Sequence, residues 1–402
     1  MVSHWFQDKS RMPAARLLLA AAVSGVTPVA VQAAAQGEPY SVGLSGYITG
    51  PGAADHAPSV EGFRAYIERV NARGGINGHP VKLSVLDDRA EPARGADNAR
   101  RLADEKHHLV TWASLSPTYR PALASAEESG VPLMFIGNAS CPDQALPKPK
   151  AHPMVFCASS ILIGPDLEFV VQYALKLAPF STKIGLLAAD IPISRFGADT
   201  QEKQFQSAGR QVAEKLALPL ATSDYGPAAT RFLSAGVGWI NQWGPFGQVV
   251  GVLRAARSQG WKGTLLSSVP FENELEKIRD DKLLLATAVA FAKTVKHPGL
   301  REIEEAGRAI GATFQPNQLT AGWVGGIVVE AALKACGWPC TPAQLAKAMG
   351  TLNVDTQGFF GGPIDWTPEN HARSKAYYQV YRWSSEKGSI VRELDWTAIP
   401  IR

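Results

Sequence analysis

The sequence has little excess charge of either sign. Its 402 residues include 40 lysines and arginines against 36 aspartates and glutamates, a formal net charge of +4, and no long run carries a single sign. Binding to nucleic acid or to an anionic membrane surface calls for a concentrated basic patch or tail. The composition therefore predicts no nucleic-acid partner.

The sequence also lacks the short motifs of several enzyme classes. GLSGYITG spaces its glycines without the close first pair of a dinucleotide fingerprint, and neither G-x-S-x-G nor H-E-x-x-H occurs. The adjacent His107 and His108 would point about 100° apart at a helix end. Asp87 and Asp88, adjacent on a strand, would face opposite sides and form no acid/base pair. We therefore expect no enzyme activity, no cofactor and no bound metal.

The first forty residues contain the longest apolar run. Lys9, Arg11 and Arg16 precede LLLAAAVSGVTPVAVQAAA, which closes on small residues in Ala-x-Ala patterns. This order predicts a secretory signal peptide over residues 1–35, cut near Ala33 to Ala35. An uncleaved membrane anchor is the alternative, but the proline within the apolar run and the small residues at its end favour cleavage.

Cysteine is scarce, and export changes how its four positions are interpreted. In an oxidising compartment an even count favours disulfides, and proximity in sequence favours Cys141 with Cys157 and Cys336 with Cys340. Other pairings remain open at this stage. A zinc site is disfavoured because the lone C-x3-C has no second pair and no histidine at ligand spacing.

Helix and strand patterns alternate along the rest of the chain. SVEGFRAYIERV spaces its apolar residues by three and four and ends at two glycines, and VKLSVLDD then alternates as a half-buried strand. The alternation continues through HLVTWAS and VPLMFIG, and again through KIGLLAAD, GVGWINQW and GTLLSS. It predicts an α/β protein with two doubly wound parallel-sheet lobes, closed by a hairpin of YYQVYRW and SIVREL.

These stretches resemble the periplasmic substrate-binding proteins of branched-chain amino acid type ABC transporters, which have the type I periplasmic binding protein fold. The similarity lies in GLSGYITGPGA, VNARGGINGHPVKLSVLDD, ASLSPTYRPALASAEESGVPLMF, RAARSQGWKGTLL, CTPAQLAKAM, GGPIDW and YYQVYRW. It implies two lobes joined by a three-segment hinge. We expect lobe 1 to comprise residues 36–157 and about 286–360, and lobe 2 to comprise residues 158–285 and about 361–402.

The resemblance places the ligand between the lobes, beyond the carboxyl ends of the strands. Ser116 and Thr118 occupy positions where the family grips a ligand carboxylate, and hydroxyl and N–H donors near helix N-termini suit a negative charge. Capping of the next helix is the alternative role for both residues. The other lobe 1 candidates for ligand binding are Tyr47, Ile48, Ser114, Asn138, Ala139 and Ser140.

Lobe 2 is expected to supply the side-chain pocket and a partner for a ligand ammonium. Family members that bind amino acids commonly have a tyrosine in the first lobe 2 loop, where this chain has Phe196, and an acid in the third, near Glu272. An ordinary charged helix start is the alternative for Glu272. The intervening loop contributes the candidates Asn241, Trp243 and Phe246.

Aromatic side chains in these loops leave two ligand classes open. A flat apolar box is expected from Tyr47, Trp112, Phe196, Trp243 and Phe246. Such a box suits an aromatic acid as well as a large apolar amino acid.

The resemblance therefore implies an extracytoplasmic solute-binding protein. It would capture a small carboxylate-bearing ligand, either an apolar or branched-chain amino acid or an aromatic acid, by hinge closure, and deliver it to an ABC transporter permease. We expect a periplasmic monomer. A freestanding sensor of the same fold that reports its ligand to a separate receptor is the alternative.

Overall fold

The computed structural model arranges the two series of strands as two separate sheets. The structure describes residues 37–142, 152–268 and 271–401. The signal peptide predicted for residues 1–35 lies outside the described residues. No helix within the described residues is long and apolar enough to cross a bilayer.

The strands and helices follow one another in alternation over most of the chain. The strands are β1 Tyr40–Gly46, β2 Val81–Asp87, β3 Leu109–Ala113, β4 Leu133–Phe135, β5 Ser140–Cys141, β6 Val155–Cys157, β7 Ile161–Leu162, β8 Lys183–Ala189, β9 Val212–Leu218, β10 Val237–Trp243, β11 Thr264–Ser267, β12 Leu283–Thr287, β13 Asn353–Val354, β14 Ile364–Asp365, β15 Lys375–Ser384 and β16 Ser389–Pro400. The α-helices are α1 Ala57–Ala72, α2 Pro92–Asp104, α3 Tyr119–Ser129, α4 Ile163–Leu177, α5 Pro192–Ser207, α6 Gly226–Ser234, α7 Phe246–Ser258, α8 Glu272–Ile278, α9 Leu300–Ala309, α10 Thr320–Cys336 and α11 Pro342–Met349. Short 3₁₀ turns cover Ala53–Asp55, Ser116–Thr118 and Pro316–Gln318.

The first sheet is parallel and has the strand order β2-β1-β3-β4-β6 among the described residues. Tyr40 of β1 pairs with Val81 of β2, and Val42 pairs with Leu109 of β3. The strand order changes direction at β1, so the connections leaving β1 and β3 diverge. This divergence opens a crevice at the carboxyl end of the sheet.

The turn between α1 and β2 depends on glycine. Gly74 and Gly75 have φ values of 97° and 73°, and the N–H of Gly75 donates to the carbonyl of Val70 at 3.0 Å. A side chain on Gly75 would overlap the carbonyl of His79. The helix therefore ends where the sequence predicts, and glycine lets the chain reverse within a few residues.

The second sheet has the order β16-β15-β12-β11-β10-β8-β9 among the described residues. The strands from β8 to β12 run parallel, and β15 and β16 form the antiparallel hairpin that the sequence predicts. The strand β9 and the helix α6 were not predicted. The α/β prediction with two parallel-sheet lobes is confirmed.

Helix α10 completes the core of the first lobe by packing against α1. Trp323 of α10 lies edge-on to Tyr66 of α1, with ring centroids 4.8 Å apart. A side chain on Gly322 would overlap the backbone carbonyl of Ser59. The two helices therefore touch backbone to backbone at this point.

The chain passes between the two sheets and their helices in three segments, between β6 and α4, between β12 and α9, and between β14 and β15. The buried Arg373 in the third crossing donates from Nη2 to the carbonyls of Ser159 and Ser160 in the first, at 3.2 and 3.3 Å. Two disulfides, Cys141–Cys157 and Cys336–Cys340, confirm the predicted pairing. The first of them holds the loop after β4 against the end of β6.

Candidate functional site

A cavity of about 60 Å³ lies between the carboxyl ends of strands from both sheets. The first lobe lines it with Asp55, His56, Leu115, Asn138 and Ser140. The first crossing contributes Ile161, and the second lobe contributes Ile191, Ile193, Ser194, Trp243, Gly244, Pro245, Ser268 and Phe271. The wall is mostly apolar with a few converging polar groups, the usual composition of a small-molecule site.

The two acids at the end of β2 hold the first-lobe loops in place. Asp87 Oδ1 accepts the N–H of Ile48 at 3.1 Å. Asp88 is fully buried and accepts hydroxyl protons from Ser45 at 2.8 Å and Ser114 at 2.6 Å. These acids therefore fix the backbone after β1 and β3 and do not face the cavity.

Asp55 brings a carboxyl group to the cavity wall. Its Oδ2 accepts the N–H of Phe246, the first residue of α7, at 3.0 Å. Its backbone carbonyl accepts Nδ2 of Asn138 at 2.9 Å. Burial raises the pKa of Asp55 to about 7; the Phe246 hydrogen bond opposes this rise, and the nearby charge of Glu274 adds to it.

His56, the next residue, is neutral at ordinary pH. Its side chain is 6% exposed, and burial lowers the pKa of its imidazole to about 4. No described residue forms a hydrogen bond with its Nδ1.

The cavity also has donors for a negative group. Ile193 and Ser194 lie in the first turn of α5, whose start carries no side-chain cap. The N–H groups of a first turn have no partner within the helix, and the helix dipole favours an anion there. Ser140 lies on the opposite wall and adds a hydroxyl group.

Trp243 is the largest apolar side chain among the described residues that line the cavity. It is 5% exposed and packs against Ile163 and Leu167. A Cβ on Gly197 of α5 would lie 2.7 Å from its ring. The ring is therefore packed closely against both α4 and α5.

The pKa of Asp55 makes the stability of the ligand-free protein depend on pH. Burial raises the pKa values of Asp55 and Asp166 from 3.8 to about 7, so between these values each of the two acids is more protonated in the folded protein than in the unfolded chain. The contribution of each acid to the free energy of unfolding therefore falls as pH rises through this window, whereas the lowered pKa of His56 contributes a rise. We expect Asp55→Asn to remove the Asp55 part, so that the free energy of unfolding of the variant falls less, or rises more, with pH than that of the wild type. Urea unfolding at several pH values from 4.5 to 7.5 measures both slopes. Equal slopes in the two proteins would contradict the raised pKa of Asp55.

Of the lobe 1 residues predicted from the sequence, Asn138 and Ser140 line the cavity. Thr118 Oγ1 accepts Nε1 of Trp112 and donates to the carbonyl of Leu115, both at 2.9 Å. Ser116 Oγ is buried with no hydrogen-bond partner among the described residues. The other four lie beside the cavity and support its loops: Tyr47 and Ala139 are buried, Ile48 donates to Asp87, and Ser114 donates to Asp88.

Of the lobe 2 residues, Trp243 lines the cavity, and Phe246 packs behind it on Phe271 with centroids 4.8 Å apart. Asn241 points into the core, where its Oδ1 accepts Nε1 of Trp239 at 2.6 Å. Phe196 is 49% exposed and is not part of the cavity wall.

Glu272 lies at the start of α8, where the chain itself supplies its donors. The carboxylate accepts the backbone N–H of Lys293 at 3.2 Å, the N–H of Thr294, and Nδ2 of Asn317 at 2.9 Å. It is 4% exposed and does not line the cavity. Its role as an ammonium partner stays a prediction.

Sequence reasoning missed Asp55 and His56. They end the glycine-rich segment that follows β1 and directly precede α1. An acid and a histidine between such a loop and a helix were the available signal. The pattern of apolar and polar residues does not show that this loop lies against the second lobe.

Sequence comparison matches residues 39–388 to the family described as periplasmic binding protein. The chain is similar to the Leu/Ile/Val-binding protein homolog 1 of Brucella abortus, with 25% identity over 334 residues that cover 79% of this chain and 86% of the relative. It is also similar to the amino acid binding protein of Pseudomonas aeruginosa, with 34% identity over 31% of this chain and 32% of the relative.

Solved structures share the fold at lower identity. A branched chain amino acid ABC transporter protein from Thermus thermophilus, crystallised with valine, superposes with a TM-score of 0.77 at 19% identity, covering 90% of this chain and 97% of the other. A solute binding protein from Rhodopseudomonas palustris HaA2, in complex with p-hydroxybenzoic acid, gives a TM-score of 0.75 at 19% identity, covering 91% and 98%. The expected type I fold is confirmed. The prediction that the chain is a binding protein rather than an enzyme is confirmed as well. With its family match extending over most of its length, the chain belongs to the periplasmic binding protein family.

Proposed function

We propose that this protein captures a small carboxylate-bearing ligand between its two lobes in the periplasm and delivers it, as a monomer, to the membrane permease of an ABC transporter. The observation that supports this most is the cavity, which is lined by strand-end loops of both sheets. A ligand in it would contact both lobes at once. Binding would therefore favour the closed arrangement over an open one.

Direct contacts between the lobes support closure as the mechanism. Phe246 of α7 donates to Asp55 at 3.0 Å, on one side of the cavity. Asn317, just before α10, donates to Glu272 at 2.9 Å and to Asn273 at 3.0 Å. These polar contacts would break when the lobes separate and form again when they close, and the closed surface around the cavity mouth would be the one the permease recognises.

A carboxylate is the group shared by the ligands of similar proteins. The Brucella relative is named for leucine, isoleucine and valine, and the solved structures hold valine and p-hydroxybenzoic acid. The hydroxyl of Ser140 and the free N–H groups at the start of α5 supply donors for such a group here.

A thermal-shift screen tests the proposal. The chain starting at Gln36 is unfolded, refolded to remove any carried ligand, and heated with amino acids, aromatic carboxylates, dicarboxylates and short amides. A ligand at one hundred times its dissociation constant stabilises by about 2.7 kcal/mol, which moves the midpoint by degrees. We expect members of the carboxylate classes to do so. Stabilisation by amides alone, or by no compound, would contradict the proposed ligand class.

We expect Ser140→Ala to weaken binding of the stabilising carboxylate by about 1 to 3 kcal/mol, because a charged acceptor would lose a donor at the cavity wall. Isothermal titration calorimetry measures the change. Ser258→Ala is the matched control, since the Ser258 hydroxyl is exposed and donates only to the carbonyl of Ala255 on its own helix. Equal affinities of the two variants would remove Ser140 from the site.

A further inference from the structure

We infer that the ligand carries a positively charged group that pairs with Asp55, so that Asp55 selects cation-bearing carboxylates over plain acids. This inference rests on the proposed function and names the ligand class within it. It decides between the amino acids and the aromatic acids that the sequence leaves open.

The position of Asp55 is fixed from both lobes. Asn138 of the first lobe donates to its carbonyl at 2.9 Å, and Phe246 of the second lobe donates to its Oδ2 at 3.0 Å. Among the described residues no donor contacts Oδ1. The carboxyl group is therefore held at the cavity wall with one oxygen available to a ligand.

The surroundings of Asp55 supply no basic side chain among the described residues. The described residues that line the cavity include no lysine or arginine, and Asp55 takes part in no ion pair among them. Glu274 adds a second negative charge nearby, and together with burial it raises the pKa of Asp55. A buried acid without a counter-ion is costly, and a cationic ligand group offsets that cost.

His56, the residue after Asp55, adds no positive charge to the cavity wall. Its imidazole is neutral and 6% exposed, lines the cavity, and leaves Nδ1 without a partner. An ammonium group has three donors and no acceptor, so it matches the carboxylate oxygen that Asp55 leaves without a donor among the described residues.

Glu272, the second-lobe acid that the sequence predicts as the partner of a ligand ammonium, is placed differently from Asp55. Glu272 already accepts three hydrogen bonds, from the backbone of Lys293 and Thr294 and from the side chain of Asn317. Those donors satisfy its charge within the protein. Asp55 has a single donor and faces the cavity, so the geometry favours Asp55.

Matched pairs of compounds that differ only in an amine isolate this contact. The probes are leucine with 4-methylpentanoate, phenylalanine with 3-phenylpropanoate, and 5-aminopentanoate with pentanoate. The third pair places the amine at the far end and so shows which amine position the site accepts. Calorimetry on the refolded chain measures each affinity for the wild type, Asp55→Asn, Glu272→Gln and Asp97→Asn.

We expect at least one amine-bearing member to bind about tenfold or more tighter than its amine-free partner, the scale of a hydrogen bond to a charged group. Asp55→Asn should remove that preference by weakening the amine-bearing member alone. Asparagine keeps an oxygen for the N–H of Phe246, so the contact between the lobes persists. Asp97→Asn makes the same chemical change at an exposed position on α2 and should leave all affinities unchanged.

Three results would overturn the inference while leaving the proposed function intact. In the first, amine-free members bind as well as their partners or better, as they would if Asp55 were protonated and donated to the carboxylate. In the second, Asp55→Asn weakens both members of a pair equally. In the third, the preference survives Asp55→Asn and is lost in Glu272→Gln. If no carboxylate binds, the proposed function fails and the inference fails with it. If Asp55→Asn does not fold, the preference of the wild type for the amine-bearing member of each of the three pairs decides.

Discussion

Trp243→Ala is expected to abolish measurable ligand binding and to lower the free energy of unfolding by about 3 to 5 kcal/mol, the cost of removing a buried aromatic side chain. The ring is 5% exposed, packs on Ile163 and Leu167, and forms part of the cavity wall. Its loss would enlarge the cavity and remove the flat surface that orients the ligand. Urea unfolding and calorimetry measure the two effects separately.

Phe180→Ala is the control for this substitution. Phe180 is 76% exposed, lies far from the cavity wall, and contacts the guanidinium of Arg210 through its ring face. Losing that contact costs about 0.5 to 1 kcal/mol at an exposed site and should leave ligand affinity unchanged. Retained affinity in Trp243→Ala, or a similar loss in both variants, would show that Trp243 is not part of the binding site.

Gly322→Ala is expected to destabilise the first lobe by about 3 kcal/mol, the upper part of the range for overpacking a tight core. The added methyl group would overlap the backbone carbonyl of Ser59, and a backbone atom cannot move aside as a flexible side chain can. The helices α1 and α10 would have to separate. Chemical unfolding of the ligand-free protein measures the change.

Gly164→Ala offers a matched comparison. A side chain at Gly164, in α4, meets no atom within 4 Å, so alanine should be neutral or stabilise by up to about 1 kcal/mol through its better helix propensity. A Gly322→Ala variant as stable as Gly164→Ala would contradict the close contact between α1 and α10.

The sequence predicted most of the strands because their apolar residues alternate or form short runs. It did not predict β9, which lies at an edge of the second sheet next to β8. In this strand, VAEKLAL, charged side chains interrupt the alternation of apolar residues. One side of the strand pairs with no other described strand, so its residues need not be apolar. Edge position therefore weakens the signal that periodicity relies on.

The sequence could locate the ends of the strands near the site but not the direction of each side chain. Asn241 lies within β10 and points into the core, whereas Trp243, two residues later, reaches the cavity. Asp55 follows a glycine-rich loop whose path depends on hydrogen bonds that it donates to Asp87 and on the second lobe. Such long-range contacts leave no periodic trace in the sequence, so the acid at the cavity wall appears only in the folded protein.

The most direct test of the account is a crystal structure of the refolded protein with the carboxylate that stabilises it most in the thermal-shift screen. We expect the ligand in the cavity, in contact with Trp243 of the second lobe and with Ser140 of the first, and with any amine next to Asp55. A ligand bound outside this cavity, or held by one lobe alone, would contradict it.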